Sequence, residues 1–203
     1  MRGVRSVLDR SRVFDWYQYV VGAERAKRWF VESHCLPRQP RRLLEVGCGT
    51  GALCKYLPTS CAYLGVDIDE RYVSSARRQF PDRVFAVADI GDEYTFRQIA
   101  GQYDLVVAFG VLHHLDNKQV LQGLTGARAV LGEQGAFLAA EPCWYSDEKP
   151  IERLMKRFDR GGFIRDADGY MQLVSSVFQS AVVSLEVGQM AMQYGLAVIT
   201  GAQ

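Results

Sequence analysis

Residues 43–51, with the sequence LLEVGCGTG, decide the fold of this 203-residue chain. A short apolar run ends in glycines at alternate positions, Gly47, Gly49 and Gly51, and a helix is predicted to follow up to about Leu57. Glycine permits a sharp turn and lets a ligand approach the backbone closely. A ligand at this loop would lie at the carboxyl end of a strand, where open α/β sheets bind their ligands.

Further apolar runs alternate with amphipathic stretches along the chain. Strands are predicted at 42–46, 63–66, 84–88, 105–109 and 136–140, and helices at 12–34, 70–79, 92–100, 117–131, 150–159 and 167–178. Two β-rich runs follow at 181–187 and 197–200, separated by about ten residues, too few for a parallel crossover. We predict an α/β fold with a doubly wound, mostly parallel seven-stranded sheet, Rossmann-like and three-layered (α/β/α), with a terminal antiparallel hairpin.

The composition is that of one ordinary globular domain. Lys and Arg number 24 against 23 for Asp and Glu, a net charge of +1 that argues against a nucleic-acid partner. The sequence has no apolar run of about 18 residues, so no membrane span is expected, and we do not expect its first residues to be a secretory signal. Five cysteines without a CxxC pair suggest neither a zinc ribbon nor a disulfide framework. We expect a cytoplasmic monomer or homodimer.

Acidic residues near the strand ends bear on the choice of cofactor. With Ala52 the glycine loop also satisfies the dinucleotide pattern GxGxxG/A, and Asp67, twenty positions after Gly47, can bind a ribose in either cofactor class. Glu45 can orient a cationic, amino-acid-bearing ligand, and Asp89 can accept a hydrogen bond from an adenine amino group. These two acids and the terminal hairpin favour a cofactor that carries an amino acid over a dinucleotide. An NAD-dependent oxidoreductase stays an alternative.

An ordered set of motifs resembles the class I S-adenosylmethionine-dependent methyltransferases across about residues 42–140. The motifs are EVGCGTG (45–51), GVDID (65–69), VADI (87–90) and YDLVVAFGVLHHL (103–115). The flanks at 13–30 and 160–178 loosely resemble bacterial methyltransferases associated with surface-polysaccharide or other secondary biosynthesis. The resemblance implies S-adenosylmethionine as the cofactor, S-adenosylhomocysteine as its product, and a small-molecule or glycan acceptor.

The resemblance also assigns the residues around the methionine part of the cofactor. Gly47, Cys48, Gly49 and Gly51 would line it, and Glu45 would steady it. Cys48 needs only to be small between two glycines, so we do not expect it to be a nucleophile.

The remaining cofactor contacts follow the later strands. Asp67 would bind the ribose hydroxyls and Ile68 would pack on the adenine. The other adenine edge and the methionyl carbons would be held by Asp89 with Ile90 and by Phe109 with Gly110, respectively. The two aspartates could alternatively be helix caps, since caps favour Asp.

Methyl transfer from a sulfonium to a hydroxyl benefits from a general base. His114 is the first candidate, because in the class that the chain resembles the second histidine of the pair often faces the cofactor. Glu141, at the end of the fifth strand, is the second candidate and Tyr145 the third. We expect no metal, because adjacent histidines cannot point the same way on one strand.

Two segments are left to select an acceptor. Residues 1–40 are predicted to form a helical lid, and residues 41–203 the cofactor-binding domain, with a helical insertion at about 145–178. The insertion carries four basic residues, Arg153, Lys156, Arg157 and Arg160. We interpret them as a solvated helix face. Alternatively, they form a site for an acidic acceptor, which Arg165 and Tyr170 could join. A non-catalytic cofactor-binding scaffold is the remaining alternative.

Overall fold

A computed structural model describes residues 22–92, 95–99, 101–159, 161–189 and 194–202. Within these ranges the strands are β1 (Arg42–Val46), β2 (Ala62–Asp67), β3 (Val84–Val87), β4 (Tyr103–Phe109), β5 (Leu131–Trp144), β6 (Arg165–Asp166), β7 (Ser180–Val187) and β8 (Gly195–Ala202). The α-helices are α1 (Ala23–Phe30), α2 (Glu70–Gln79), α3 (Thr95–Gln98), α4 (Asn117–Val130), α5 (Pro150–Phe158) and α6 (Ala167–Ser175). Short 3-10 turns lie at Ala52–Tyr56 and Leu112–His114.

The main sheet has the order β3-β2-β1-β4-β5-β8-β7, and the two-residue β6 pairs with the end of β5. The first five strands are parallel, whereas β8 is antiparallel to both β5 and β7. This order confirms the doubly wound, seven-stranded sheet with its terminal antiparallel hairpin.

Buried side chains pack on both faces of the sheet. Leu44 and Val46 belong to one core cluster, together with residues of α4 and α6, whereas Leu43 belongs to a second cluster with residues of α1 and α2. Successive residues of a strand point to opposite faces, so β1 supplies both cores. The result is the predicted three-layer arrangement.

Aspartates fix the starts of three helices. The side chain of Asp69 accepts from the Arg71 amide to cap α2, and Asp166 caps α6 in the same way. Asp116 forms a capping box with Gln119 at the start of α4. Each cap satisfies amides that the first helical turn leaves unpaired.

Several boundaries differ from the sequence prediction. The predicted helix at 12–34 lies partly outside the described residues, and its described part is α1 followed by a π-helical turn at Val31–Cys35. The helix α4 ends at Val130 rather than beside Gly132, because Leu131 already pairs with Tyr103 of β4. The fifth strand is therefore much longer than predicted. None of the helices in the described ranges is long and apolar enough to cross a bilayer.

Candidate active site

The glycine loop joins β1 to the 3-10 turn at Ala52–Tyr56, and its three glycines all have positive φ, at 68°, 54° and 79° in chain order. A Cβ on Gly47 would lie 2.4 Å from Val111 Cγ2, and one on Gly51 would lie 2.9 Å from the Phe85 ring. A Cβ on Gly49 would meet no heavy atom within 4 Å. The outer glycines therefore serve close packing, whereas Gly49 borders open space that a ligand can fill.

The end of β2 supports this loop. Asp67 accepts hydrogen bonds from the amides of Gly49 (2.8 Å) and Asp69 (2.9 Å), one on each carboxylate oxygen. A carboxylate has about four acceptor positions, so these two bonds leave capacity for hydroxyl donors. The neighbouring Ile68 is 67% exposed, which is unusual for isoleucine. Asp67 therefore stabilises the glycine loop and does not cap a helix. The apolar side chain beside it, Ile68, is exposed to solvent.

The end of β3 contributes less than the sequence suggested. Asp89 is exposed, and its side chain accepts from the Gly91 amide at 2.9 Å. Ile90 is only 7% exposed and packs in the core with Phe96 and Leu124. Its side chain therefore belongs mainly to the core, and Asp89 is the open polar group at this edge.

Glu45 is buried under the loop. Its carboxylate accepts a hydrogen bond from the Tyr63 hydroxyl, and burial raises its pKa to about 7 despite that bond and the nearby Lys27. The neighbouring Cys48 is also buried, and burial raises the pKa of its thiol far above the usual range. A thiol held neutral in this way is a poor nucleophile, as the sequence predicted.

The end of β4 meets α1. Phe109 packs edge to face against Phe30 of α1, with ring centroids 5.6 Å apart. Phe109 also packs against a small cluster that contains Ala26 of α1 and Tyr194. The amide of Gly110, whose φ is 66°, donates to Ala140 of β5. The first described helix therefore packs against Phe109, one of the two residues at which the methionyl carbons are expected.

Glu141 lies in β5 a few residues before its end, is fully buried and binds the turn that follows β4. Its Oε1 accepts from the amides of Val111 and Leu112, both at 2.9 Å. Its Oε2 lies 3.3 Å from the amide nitrogen and 2.8 Å from the Nδ1 of His113. These bonds occupy both oxygens of the second candidate base with the protein's own donors. The carboxylate orders the histidine turn instead of lying open to an acceptor.

The two histidine rings lie close together, contrary to the sequence-based argument that adjacent histidines are directed to opposite faces. They occupy a 3-10 turn rather than a strand, and their ring centroids are 4.1 Å apart. His113 is buried and His114 is exposed. Ligand-capable atoms of these two histidines and Asp159 lie within 4.8 Å of one another. The orientation of the two histidines therefore does not exclude a metal site, contrary to the reason given for expecting none.

The basic segment of the insertion is not a uniformly solvated face. Arg153 and Arg157 are exposed and Arg160 lies outside the described residues, but Lys156 is only 2% exposed. The Lys156 ammonium donates to Glu148 at 2.6 Å and to the carbonyl of Cys143, with three aromatic rings about it, those of Trp144, Tyr145 and Tyr194. The interpretation as a solvated face is wrong for Lys156, because β5 and Tyr194 enclose it.

Arg165 and Tyr170 are committed to structural bonds as well. The Arg165 guanidinium donates to the carbonyls of Leu112 (3.1 Å) and Leu115 (2.9 Å). Tyr170 is buried, and its hydroxyl donates to the carbonyl of Pro142. Neither side chain is free to bind an acidic acceptor in this arrangement.

Comparison with known proteins gives a match in sequence. Residues 44–137 match the family model of a methyltransferase domain. An uncharacterized 37.1 kDa protein in transposon TN4556 of Streptomyces fradiae is 25% identical over 163 residues, which cover 77% of this chain and 44% of that protein. A highly reducing polyketide synthase of Purpureocillium lilacinum is 30% identical over 74% of this chain and 6% of its own length. The chain spans less than half the length of these curated relatives.

Solved structures share the fold. An O-methyltransferase family protein from Burkholderia thailandensis has a TM-score of 0.73 at 15% identity, over 96% of this chain and 61% of its own. Human N-acetylserotonin methyltransferase, solved in complex with S-adenosylmethionine, has a TM-score of 0.66 at 18% identity, over 95% and 55%. The CurJ carbon methyltransferase has a TM-score of 0.61 at 24% identity, over 85% and 51%.

Proposed function

We propose, from the premise that this chain belongs to the class I S-adenosylmethionine-dependent methyltransferases, that it methylates a hydroxyl oxygen of a small-molecule or glycan acceptor. The observation that carries the proposal is the open space over Gly49, in a loop anchored by Asp67. Only a loop without a Cβ at that point lets a ligand lie against the backbone.

The residues around that space fit the cofactor. We assign its methionine part to the loop residues Gly47, Cys48, Gly49 and Gly51, with Glu45 beneath them. Asp67 retains acceptor capacity for the ribose hydroxyls, and exposed Ile68 offers an apolar face to the adenine. The remaining assignments are the adenine edge at Asp89 and Ile90, the latter through its backbone, and the methionyl carbons at Phe109 and Gly110.

The cofactor supplies an electrophilic methyl group, so the chain has to align the acceptor and remove a proton. We assign proton removal to His114, which is exposed at the end of the histidine turn. Glu141 takes a different role from the one considered for it, because its oxygens hold the backbone of that turn. It is a positioning residue for His114 in this proposal.

A carbon acceptor is the second candidate. The CurJ carbon methyltransferase is the most similar in sequence, at 24%, of the three structures described above. Removal of a proton from carbon needs a base as much as removal from a hydroxyl does, so the same turn would serve. We also propose a cytoplasmic location, which fits the five free thiols.

Transfer of a tritium-labelled methyl group tests the proposal. The protein is incubated with labelled S-adenosylmethionine and a small-molecule extract of its source organism, and the labelled product is treated with hydriodic acid. An oxygen-linked methyl is released as volatile methyl iodide, whereas a carbon-linked methyl stays in the residue. Label that stays in the residue would support the second candidate, and a protein that binds cofactor but transfers no label in any extract would be a scaffold.

A further inference from the structure

We propose that Asp159, which directly follows α5 in the insertion, is a positioning residue for methyl transfer: through His113 it sets the turn that carries His114. This inference rests on the proposed function. It concerns a residue to which neither the sequence motifs nor the comparisons give a role.

The first observation is the environment of the His113 ring. Its Nδ1 lies 2.8 Å from Glu141 Oε2 and its Nε2 lies 3.2 Å from Asp159 Oδ1. The ring is buried between the end of β5 on one side and the insertion on the other. In a neutral imidazole one nitrogen would turn a lone pair toward a carboxylate, so this geometry favours the doubly protonated ring.

The titration of the ring follows from its neighbours. Burial alone would lower the pKa of His113, but the hydrogen bonds and charges of Asp159 and Glu141 outweigh it and raise the pKa to about 9. Burial would likewise raise the pKa of Asp159, but the His113 contact lowers it overall. Two carboxylates face the His113 ring, Glu141 from β5 and Asp159 from the insertion. His114 from the same turn is the further titratable group that acts on Asp159. A protonated His113 cannot serve as a base at neutral pH, which leaves proton removal to His114.

The second observation is that backbone contacts join the same two parts. The Phe163 amide donates to the His113 carbonyl at 3.0 Å, and the Gly161 amide donates to Asp159 Oδ1 at 2.6 Å. A Cβ on Gly161 would lie 1.9 Å from His113 Cδ2, so the insertion lies directly against the ring. Together with the two carbonyls that Arg165 holds, these contacts bind the carbonyl side of the turn to the insertion.

The turn is therefore held from two directions. Glu141 binds its amides from the sheet, and the insertion binds its carbonyls and the His113 ring. Glu141 on the sheet side is fully buried, whereas Asp159 is only partly buried and belongs to the segment expected to border the acceptor. A change at Asp159 should thus reach His114 while leaving the glycine loop and cofactor affinity untouched.

The test compares Asp159→Asn with Asp168→Asn, a matched loss of charge at an exposed residue of the same insertion. Asparagine keeps an oxygen for the Gly161 amide but removes the charge that holds the His113 proton. In Asp159→Asn we expect the His113 pKa, measured by NMR of its ring, to fall from about 9 toward its ordinary 6.5. We expect the alkaline limit of the labelled-methyl transfer rate to move down with it, so that the rate at pH 8.5 falls about tenfold. Affinity for S-adenosylhomocysteine should change less than twofold.

Three outcomes would overturn the inference. The first is an Asp159→Asn enzyme as fast as Asp168→Asn across the pH range. The second comes from a protein that already carries His113→Gln. A residue that acts through His113 must have no further effect there, so a loss of rate from Asp159→Asn as large as in the wild type would contradict the inference. The third is one equivalent of Zn²⁺ that raises the melting temperature of the wild type but not of Asp159→Asn, which would make the cluster a metal site. A wild type that binds no S-adenosylhomocysteine would instead refute the proposed function.

Discussion

Replacing Gly49 by alanine separates cofactor binding from folding. The added Cβ meets no protein atom within 4 Å, so its cost to the folded state is the left-handed backbone alone, about 1 kcal/mol. For a chain of this length that loss lowers the melting temperature by about 2–4 °C. The protein should therefore stay folded at 25 °C.

The same methyl group enters the space assigned to the cofactor. Overpacking a close contact costs about 1–3 kcal/mol and a displaced hydrogen bond about 1 kcal/mol more. A sum near 3 kcal/mol corresponds to roughly 100-fold weaker binding of S-adenosylhomocysteine, measured by calorimetric titration.

Gly188→Ala is the matched control. Gly188 also has a positive φ, 87°, and no heavy atom within 4 Å of a built Cβ, but it follows β7 at the edge of the sheet. It should lose the same few degrees of stability and no affinity. Equal affinities for the two folded variants would refute the assignment of the loop as the cofactor site.

Three further predictions concern buried charges and the base. Affinity for S-adenosylhomocysteine should rise about tenfold between pH 6 and pH 8. The raised pKa of Glu45, about 7, leaves its carboxyl mostly protonated at pH 6, whereas the ammonium of the ligand favours the ionised carboxylate. Glu45→Gln should remove this pH dependence, and a pH dependence that persists in Glu45→Gln would contradict the assignment. Lys156→Met should lower the melting temperature by about 10 °C, because Glu148 would keep a buried charge at a cost of about 3–5 kcal/mol. The control Arg153→Met, at an exposed residue, should change the melting temperature by less than about 4 °C. A similarly small shift in both variants would disprove the buried pair. His114→Ala should slow methyl transfer about 100-fold at unchanged cofactor affinity, and an unaltered rate would make His114 structural.

The order of elements was predictable where local signals agree. The run Arg42–Val46 has an apolar centre at Leu43 and Leu44 and ends at the glycine loop, and β1 occupies those residues. The predicted helix at 70–79 coincides with α2, whose cap Asp69 precedes it. The antiparallel hairpin followed from a connection too short for a crossover, and β7 and β8 pair in that way.

The partners of buried polar groups were not predictable from local patterns. Lys156 sits among charged residues at helical spacing, which suggests a solvated face, while the rings that enclose it lie up to about 40 positions away in the sequence. The pairing of His113 with Glu141 had a weaker signal. Adjacent parallel strands end at the same edge of a sheet, so residues that follow β4 and end β5 must meet there. Which histidine turns inward depends on a 3-10 turn that the sequence does not specify.

The choice of cofactor class is the central claim, and calorimetric titration of the wild-type protein tests it most directly. S-adenosylhomocysteine and NAD are titrated separately into the same preparation, with the Gly49→Ala and Gly188→Ala variants alongside. The glycine loop with Asp67 and the open Ile68 predicts saturable binding of S-adenosylhomocysteine and none of NAD. Saturable binding of NAD without binding of S-adenosylhomocysteine would contradict the assignment.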